Sequence, residues 1–209
     1  MGKWLFFASL AVLAACGGGG SSYTPKAETE TETVAEDDSA VFELSSSAFS
    51  TGGNIPLIHA CADQGGDNYS PQLAWQNAPD GTDSFAIIID DETPPCETSG
   101  DNACVHWNLF NIDSSVSSLV EDVSPSDVVD EGGVSSVIEG QTYAGTNDYE
   151  GPCPPPGETH MYFFTIYALS ADHPEMSESM SFTTSEFTTE YDGTILAQAG
   201  MYGDFPGGD

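Results

Sequence analysis

The sequence predicts a mainly β chain with one short helix. Three apolar runs have strand composition, and only one segment carries helix signals. Ser84-Phe-Ala-Ile-Ile-Ile-Asp90 is a continuous β-branched run, the pattern of a strand buried on both faces. Val105-His-Trp-Asn-Leu-Phe-Asn-Ile112 and Tyr162-Phe-Phe-Thr-Ile-Tyr-Ala-Leu169 are the other two.

Taken in order, Val41-Phe-Glu-Leu44 alternates like a half-buried strand, and residues 45–54 supply turn chemistry. Ile55-Pro-Leu-Ile-His-Ala-Cys61 reads as a short extended segment and residues 63–69 as a polar loop, before Ser70-Pro71 and Leu73-Ala-Trp75. Asn77-Ala-Pro-Asp-Gly-Thr82 is rich in residues that favour tight reversals. The strand that follows delivers Asp90 and Asp91 at its end. In the next strand a period of two puts Val105, Trp107 and Leu109 on one face, and His106, Asn108 and Phe110 on the other.

Residues 113–148 are polar and rich in Ser, Asp and Gly, with Val116 to Val123 as a helical turn. A segment this long inside a compact domain is expected to be functional or poorly ordered. Tyr149-Glu-Gly-Pro-Cys-Pro-Pro-Pro-Gly-Glu-Thr-His-Met-Tyr162 is different: its prolines lock φ, and its glycines admit backbone that other residues avoid. It runs straight into an apolar strand, so His160 and Tyr162 share one face and Met161 takes the other. Ser185 to Tyr191 reads as the short helix, with Thr183 and Glu186 as a capping box and Gly193 as its end. Residues 194–202 fit either a continued helix or a final strand.

The charge balance is extreme: 34 acidic residues against 2 basic, with no arginine and no lysine beyond Lys26. Such a surface repels nucleic acid and anionic lipid, so a nucleic-acid partner is excluded. The fold must also tolerate carboxylate self-repulsion, so salt is expected to stabilise it and its surroundings to be salt-rich.

The first residues read as an export signal. Lys3 supplies the charged region, Trp4 to Val12 an apolar run too short to span a membrane, and Leu13-Ala-Ala-Cys16 a cleavage site. Leu-Ala-Ala-Cys resembles the bacterial lipobox, which implies that Cys16 is lipidated. With no Asp at position 17, that resemblance further implies an outer-membrane location facing the periplasm. The expected organisation is a signal peptide at 1–15, a lipidated cysteine and flexible acidic tether at 16–40, and a folded domain at 41–209.

Without Cys16, four cysteines remain: Cys61, Cys96, Cys104 and Cys153. In an oxidising compartment they read as two disulfides, with three connectivities open. Pairing Cys96 with Cys104 would staple a polar loop locally, and Cys61 would then meet Cys153. A metal site built on Cys96, Cys104 and His106 is the weaker alternative, since no Cys-x-x-Cys pair is present. No metal and no cofactor are predicted.

Four segments now stand in order: Ser-Pro-x-Leu-x-Trp at Ser70 to Trp75, the strand end at Asp90-Asp91, Val-His-Trp at Val105 to Trp107, and Tyr-x-Gly-Pro-Cys-Pro-Pro-x-Gly-x-x-His-x-Tyr at Tyr149 to Tyr162. In this order and spacing the chain resembles the phosphatidylethanolamine-binding protein family, in its bacterial Raf-kinase-inhibitor-like (YbhB/YbcL-type) branch. The resemblance covers nearly all of residues 41–203. It implies a large central antiparallel sheet, a smaller second sheet and a short C-terminal helix. It also implies a small pocket for phosphoryl, phosphorylated-headgroup, acetate-like or sulfate-like anions. Carried over position by position, that pocket is lined by Asp91, His106, Gly151, His160 and Tyr162, and Cys61 and Cys153 match two cysteines of exported relatives.

The departures are equally specific. Where the family reads Asp-Pro-Asp-x-Pro, this chain has Asp91-Glu92-Thr93-Pro94-Pro95, and where it reads His-Arg-Tyr, this chain has His160-Met161-Tyr162. Thr194 stands where a histidine is common. In an arginine-free pocket an anion must be held by imidazole, phenol and backbone N–H donors, with Asp91 orienting or charging His106. The expected function is therefore non-catalytic binding of a small anion such as phosphate or phosphoethanolamine. A protein-interaction module that inhibits another enzyme is the alternative, and its protein partner is unspecified. A serine hydrolase is disfavoured by the lack of a Gly-x-Ser-x-Gly elbow. A calcium loop at 90–101 is disfavoured by irregular carboxylate spacing.

Overall fold

A computed structural model of the chain describes residues 40–93 and 103–208. The expected export signal and tether, Cys16, Cys96 and most of the 90–101 loop lie outside the described residues. In chain order the strands are β1 (Glu43–Ser45), β2 (Gly53–Asn54), β3 (Leu73–Gln76), β4 (Ser84–Asp91), β5 (Cys104–Asp113), β6 (Ser118–Leu119), β7 (Ile138–Glu139) and β8 (Thr159–Leu169). Helix α1 (Thr184–Glu190) and β9 (Ile195–Pro206) complete the chain.

The strands form two sheets. A small one has the order β1-β3-β6, and a large one the order β2-β9-β8-β4-β5-β7, antiparallel except for the short β2–β9 pair. The fold is mainly β, with a large and a small sheet and one short helix near the C-terminus. β4 lies at the centre of the large sheet with all eight residues buried, as its β-branched run predicts. Its alternation splits the core in two. Phe85, Ile87 and Ile89 join Trp107, Leu109, Phe164 and Ile166 against Leu44, Leu73 and Trp75 of the small sheet. Ala86 and Ile88 face the other way, towards Phe110, Tyr167, Phe187 and Tyr191 around α1.

The same alternation separates the two aspartates. Asp90 is fully buried on the helix side, where it accepts from the Thr184 backbone N–H at 2.6 Å and the Thr184 hydroxyl at 3.0 Å. Asp91 faces the opposite side. The expected capping box is present: the Glu186 N–H donates to Thr183 Oγ1 at 3.2 Å, and the Thr183 N–H to Glu186 Oε2 at 3.1 Å. The helix ends at Glu190 with Tyr191 as its C-cap, within one residue of the expected end, and Gly193 is not its cap.

Several local expectations change. Residues 55–61 are not simply extended: after Pro56, Leu57–His59 forms a 3-10 turn. Val116 to Val123 contains no helical turn; Ser118–Leu119 pairs with β3 as an edge strand. The segment 113–148 is built into the fold through β6, a 3-10 turn at Pro125–Asp127 and β7, which pairs with β5. The ambiguous stretch after residue 194 is a strand, paired with β8 from Ile195 to Pro206.

Candidate functional site

At the end of the large sheet a cavity of about 330 Å³ is lined by Asp91, Cys104, His106, Tyr143, Cys153, Pro155, Glu158, His160 and Tyr162. Register brings three of these together. Asp91 lies opposite Cys104 on one side and Tyr162 on the other, so all three side chains share one face. His160 and Tyr162 are buried on that face, and Met161 between them points outward and is 36 % exposed, as the period of two requires.

His106 arrives by a route that period two does not predict. Ile89 pairs with Trp107 and Asp90 with Val105, which leaves His106 as an extra residue without a partner in β4. This β-bulge overturns the expected faces of β5: Val105 parts from Trp107 and Leu109, and the His106 imidazole is turned into the cavity. Its ring packs edge-on against Tyr162 at 5.0 Å and tilted against Tyr143 at 4.9 Å.

The two imidazoles are held differently. The His106 Nδ1–H donates to the Glu150 carbonyl at 2.6 Å. Burial lowers the pKa of His106 below its ordinary 6.5, against the pull of that carbonyl and of the Asp91 charge. Near neutral pH the ring is uncharged, and Nε2 offers a lone pair. His160 instead donates from Nδ1 to Asp91 Oδ2 at 2.6 Å, while Glu158 Oε2 lies 3.3 Å from Nε2. Asp91 therefore orients His160, and not His106 as expected from the sequence. Thr93 fixes Asp91 in turn: its N–H donates to Asp91 Oδ1 at 2.8 Å, and its Oγ1 accepts from the Met161 N–H at 3.0 Å. The departure at position 93 thus ties the end of β4 to β8.

Both cavity phenols stay protonated. Burial pushes the Tyr162 hydroxyl far up, and burial followed by the charges of Glu150, Asp63 and Asp91 raises Tyr143. Each is an O–H donor at neutral pH.

The proline-rich loop forms one wall and is clamped along its length. Cys153 is disulfide-bonded to Cys61, and the Cys61 N–H donates to the Pro152 carbonyl at 3.1 Å. Gln64 Nε2 donates to the Pro154 carbonyl at 2.8 Å, and the Gly157 N–H donates to the Gly208 carbonyl at 3.2 Å. Cys104 is disulfide-bonded as well; the expected Cys96–Cys104 pairing lies outside the described residues.

Gly151 does not line the cavity. Its N–H donates to Asn68 Oδ1 at 2.7 Å, and a Cβ there would stand 2.2 Å from the His59 carbonyl oxygen. The glycine lets two backbone segments touch behind His106. Sequence reasoning missed Tyr143, Glu158 and Asn68. Tyr143 was signalled only as a lone aromatic in a polar segment, and Asn68 carried no signal. Asn68 adopts φ 61° and also donates from Nδ2 to the Tyr149 carbonyl at 2.7 Å. Ser70 to Trp75, the first motif of the resemblance, serves packing: Leu73 and Trp75 enter the inter-sheet core.

The family model for phosphatidylethanolamine-binding proteins matches residues 45–206. The chain belongs to this family. A UPF0098 protein of Aquifex aeolicus is 35% identical over 165 residues, covering 78% of this chain and 88% of the relative. YbhB of Escherichia coli is 32% identical over 141 residues, covering 66% and 85%. Among solved structures, E. coli YbcL superposes with a TM-score of 0.66 at 26% identity, covering 79% of this chain and 98% of that one. The phosphatidylethanolamine-binding protein homologue CT736 of Chlamydia trachomatis gives 0.63 at 29% identity, covering 78% and 96%. The two-sheet architecture is thus shared with crystal structures of the family.

Proposed function

We propose that this member of the phosphatidylethanolamine-binding protein family binds a small oxyanion in the cavity between His106 and His160, without catalytic turnover, and is held at the bacterial cell envelope through a lipidated Cys16. The observation that carries the binding half is the clamped His160. Asp91 and Thr93 fix its Nδ1 side, so Nε2 is aimed into a cavity that also contains two protonated phenols. The His106 Nε2 lone pair adds an acceptor. That mixture suits an oxyanion carrying a hydroxyl, such as a hydrogen phosphate, better than a fully ionised group. Binding is favoured over turnover because both lining cysteines are disulfide-bonded and so are not available as thiol nucleophiles.

The test is thermal unfolding with inorganic phosphate and with phosphoethanolamine. Ligand at a hundred times its dissociation constant stabilises by about 2.7 kcal/mol, or roughly 5–10 °C for a domain of this size. A shift with both ligands assigns the phosphate group alone; a shift only with phosphoethanolamine assigns the headgroup. His160→Ala is expected to abolish either shift. An unchanged shift in that variant, or no shift in the parent, overturns the reading and leaves regulation of another protein by surface contact as the remaining function. Anchoring is checked by Cys16→Ser, which is expected to move the protein from the membrane to the soluble fraction.

A further inference from the structure

The cavity already holds a carboxylate where a ligand oxyanion would go. Glu158 Oε2 lies 3.3 Å from His160 Nε2, the imidazole nitrogen that Asp91 leaves free. The Glu158 side chain is 62 % exposed, whereas that of His160 is 11 % exposed, so one partner of the pair is free to leave and the other is fixed.

The backbone of Glu158 is not free to move with its side chain. Its N–H donates to the Pro155 carbonyl at 3.1 Å, and its carbonyl accepts from the Gly207 N–H at 2.7 Å. Gly157 before it takes φ 77°, which closes the turn from Pro155. Release of His160 Nε2 therefore needs only rotation about side-chain bonds into solvent. It needs no opening of the disulfide-tied loop.

From this geometry we infer that Glu158 is an internal competitor for the oxyanion site: its carboxylate caps His160 Nε2 in the empty protein and must swing out for a ligand to bind. The inference rests on the oxyanion reading of the cavity and adds a regulating residue to it. The apparent affinity is the intrinsic affinity multiplied by the fraction of molecules in which Glu158 has left. For a contact with one partner this exposed that factor is modest, roughly two- to fivefold. Glu158 also selects ligands, because an oxyanion displaces it by offering His160 the same kind of acceptor, whereas an uncharged hydroxyl compound does not.

The experiment is isothermal titration of the full-length protein with inorganic phosphate and, separately, acetate. It uses the parent, Glu158→Gln, Glu158→Ala and the charge control Glu92→Gln, each at low salt and in 1 M NaCl. Glu92 is exposed and carries the same charge. In 1 M salt the Debye length falls to about 3 Å, so general repulsion between protein and ligand is screened, while displacement of a bound group is not. Both Glu158 variants are expected to bind phosphate roughly two- to fivefold tighter than the parent in 1 M NaCl, with Glu92→Gln within measurement error of it. If the parent binds and the Glu158 variants match it, or match Glu92→Gln, internal competition is overturned and the oxyanion site stands. If none of the four proteins binds phosphate or acetate, both readings fall together. Binding by the Glu158 variants alone supports both.

Discussion

The Nδ1 nitrogens of His106 and His160 meet different partners, a backbone carbonyl in one case and a carboxylate in the other. A carbonyl accepts a hydrogen bond but carries no full charge, so burial dominates at His106 and depresses its pKa. The consequence for stability has a definite sign. Below pH 6.5 the unfolded chain protonates this histidine more readily than the native one does, so its contribution is lost as pH falls from 6.5 towards the native value. Above 6.5 it adds no pH dependence. The His106 Cε1–H resonance is expected to titrate with a midpoint below 6.5, and a midpoint at or above that value would show that burial does not dominate. His160 and Tyr162 were legible as a pair because alternation along an unbroken strand fixes their common face. His106 was legible as a residue but not as a direction, since its bulge exists only relative to β4.

Among the elements, the wall at Tyr149–Tyr162 depends on close backbone contact. At Gly151 an added methyl would meet the His59 oxygen at 2.2 Å and the Ala60 and Cys61 backbone within 2.8 Å, none of which is a flexible side-chain end. Gly151→Ala is expected to destabilise by about 1–3 kcal/mol, the range for overpacking, read as a lower denaturant midpoint with an unchanged slope. An unaltered midpoint would mean that the two segments separate freely. The rigidity of this loop was legible from its prolines, but its anchors were not, because Asn68, Gln64 and Gly208 are distant in sequence and ordinary in kind. Helix α1 shows the opposite case: Thr183 and Glu186 are three residues apart, so its capping box was visible in the sequence. β9 needed its partner, because Ile195–Pro206 has a weak pattern of its own and pairs with β8 along its length.

At the scale of the molecule, the net charge is −32, and with no arginine and no lysine beyond Lys26 histidine is the sole basic side chain within residues 41–209. The fold is held by a two-sided core and by the Cys61–Cys153 bond, which closes a long loop across 92 residues. In the chain-entropy account that closure contributes about 4.6 kcal/mol. Screening acts on the repulsion and leaves the core and the covalent tie in place. The melting temperature is expected to rise between 0.01 M and 1 M NaCl, as the Debye length shortens from about 30 Å to about 3 Å. A flat or falling melting temperature would show that the carboxylates are already too far apart to repel.

The sequence by itself determined what depends on neighbours along the chain. It specified the buried β4 run, the shared face of His160 and Tyr162, the helix cap, and the motif order that identifies the family. Tertiary structure decided what depends on a second segment. It turned His106 into the cavity through a bulge, gave Asp91 to His160 rather than to His106, placed Tyr143 and Glu158 on the lining, and moved Gly151 from the lining to its support. The physical reason is range. Periodicity, capping and φ restriction act within a few residues, whereas register, hydrogen-bond partners and desolvation are set by strands and loops that meet only when the sheet is assembled.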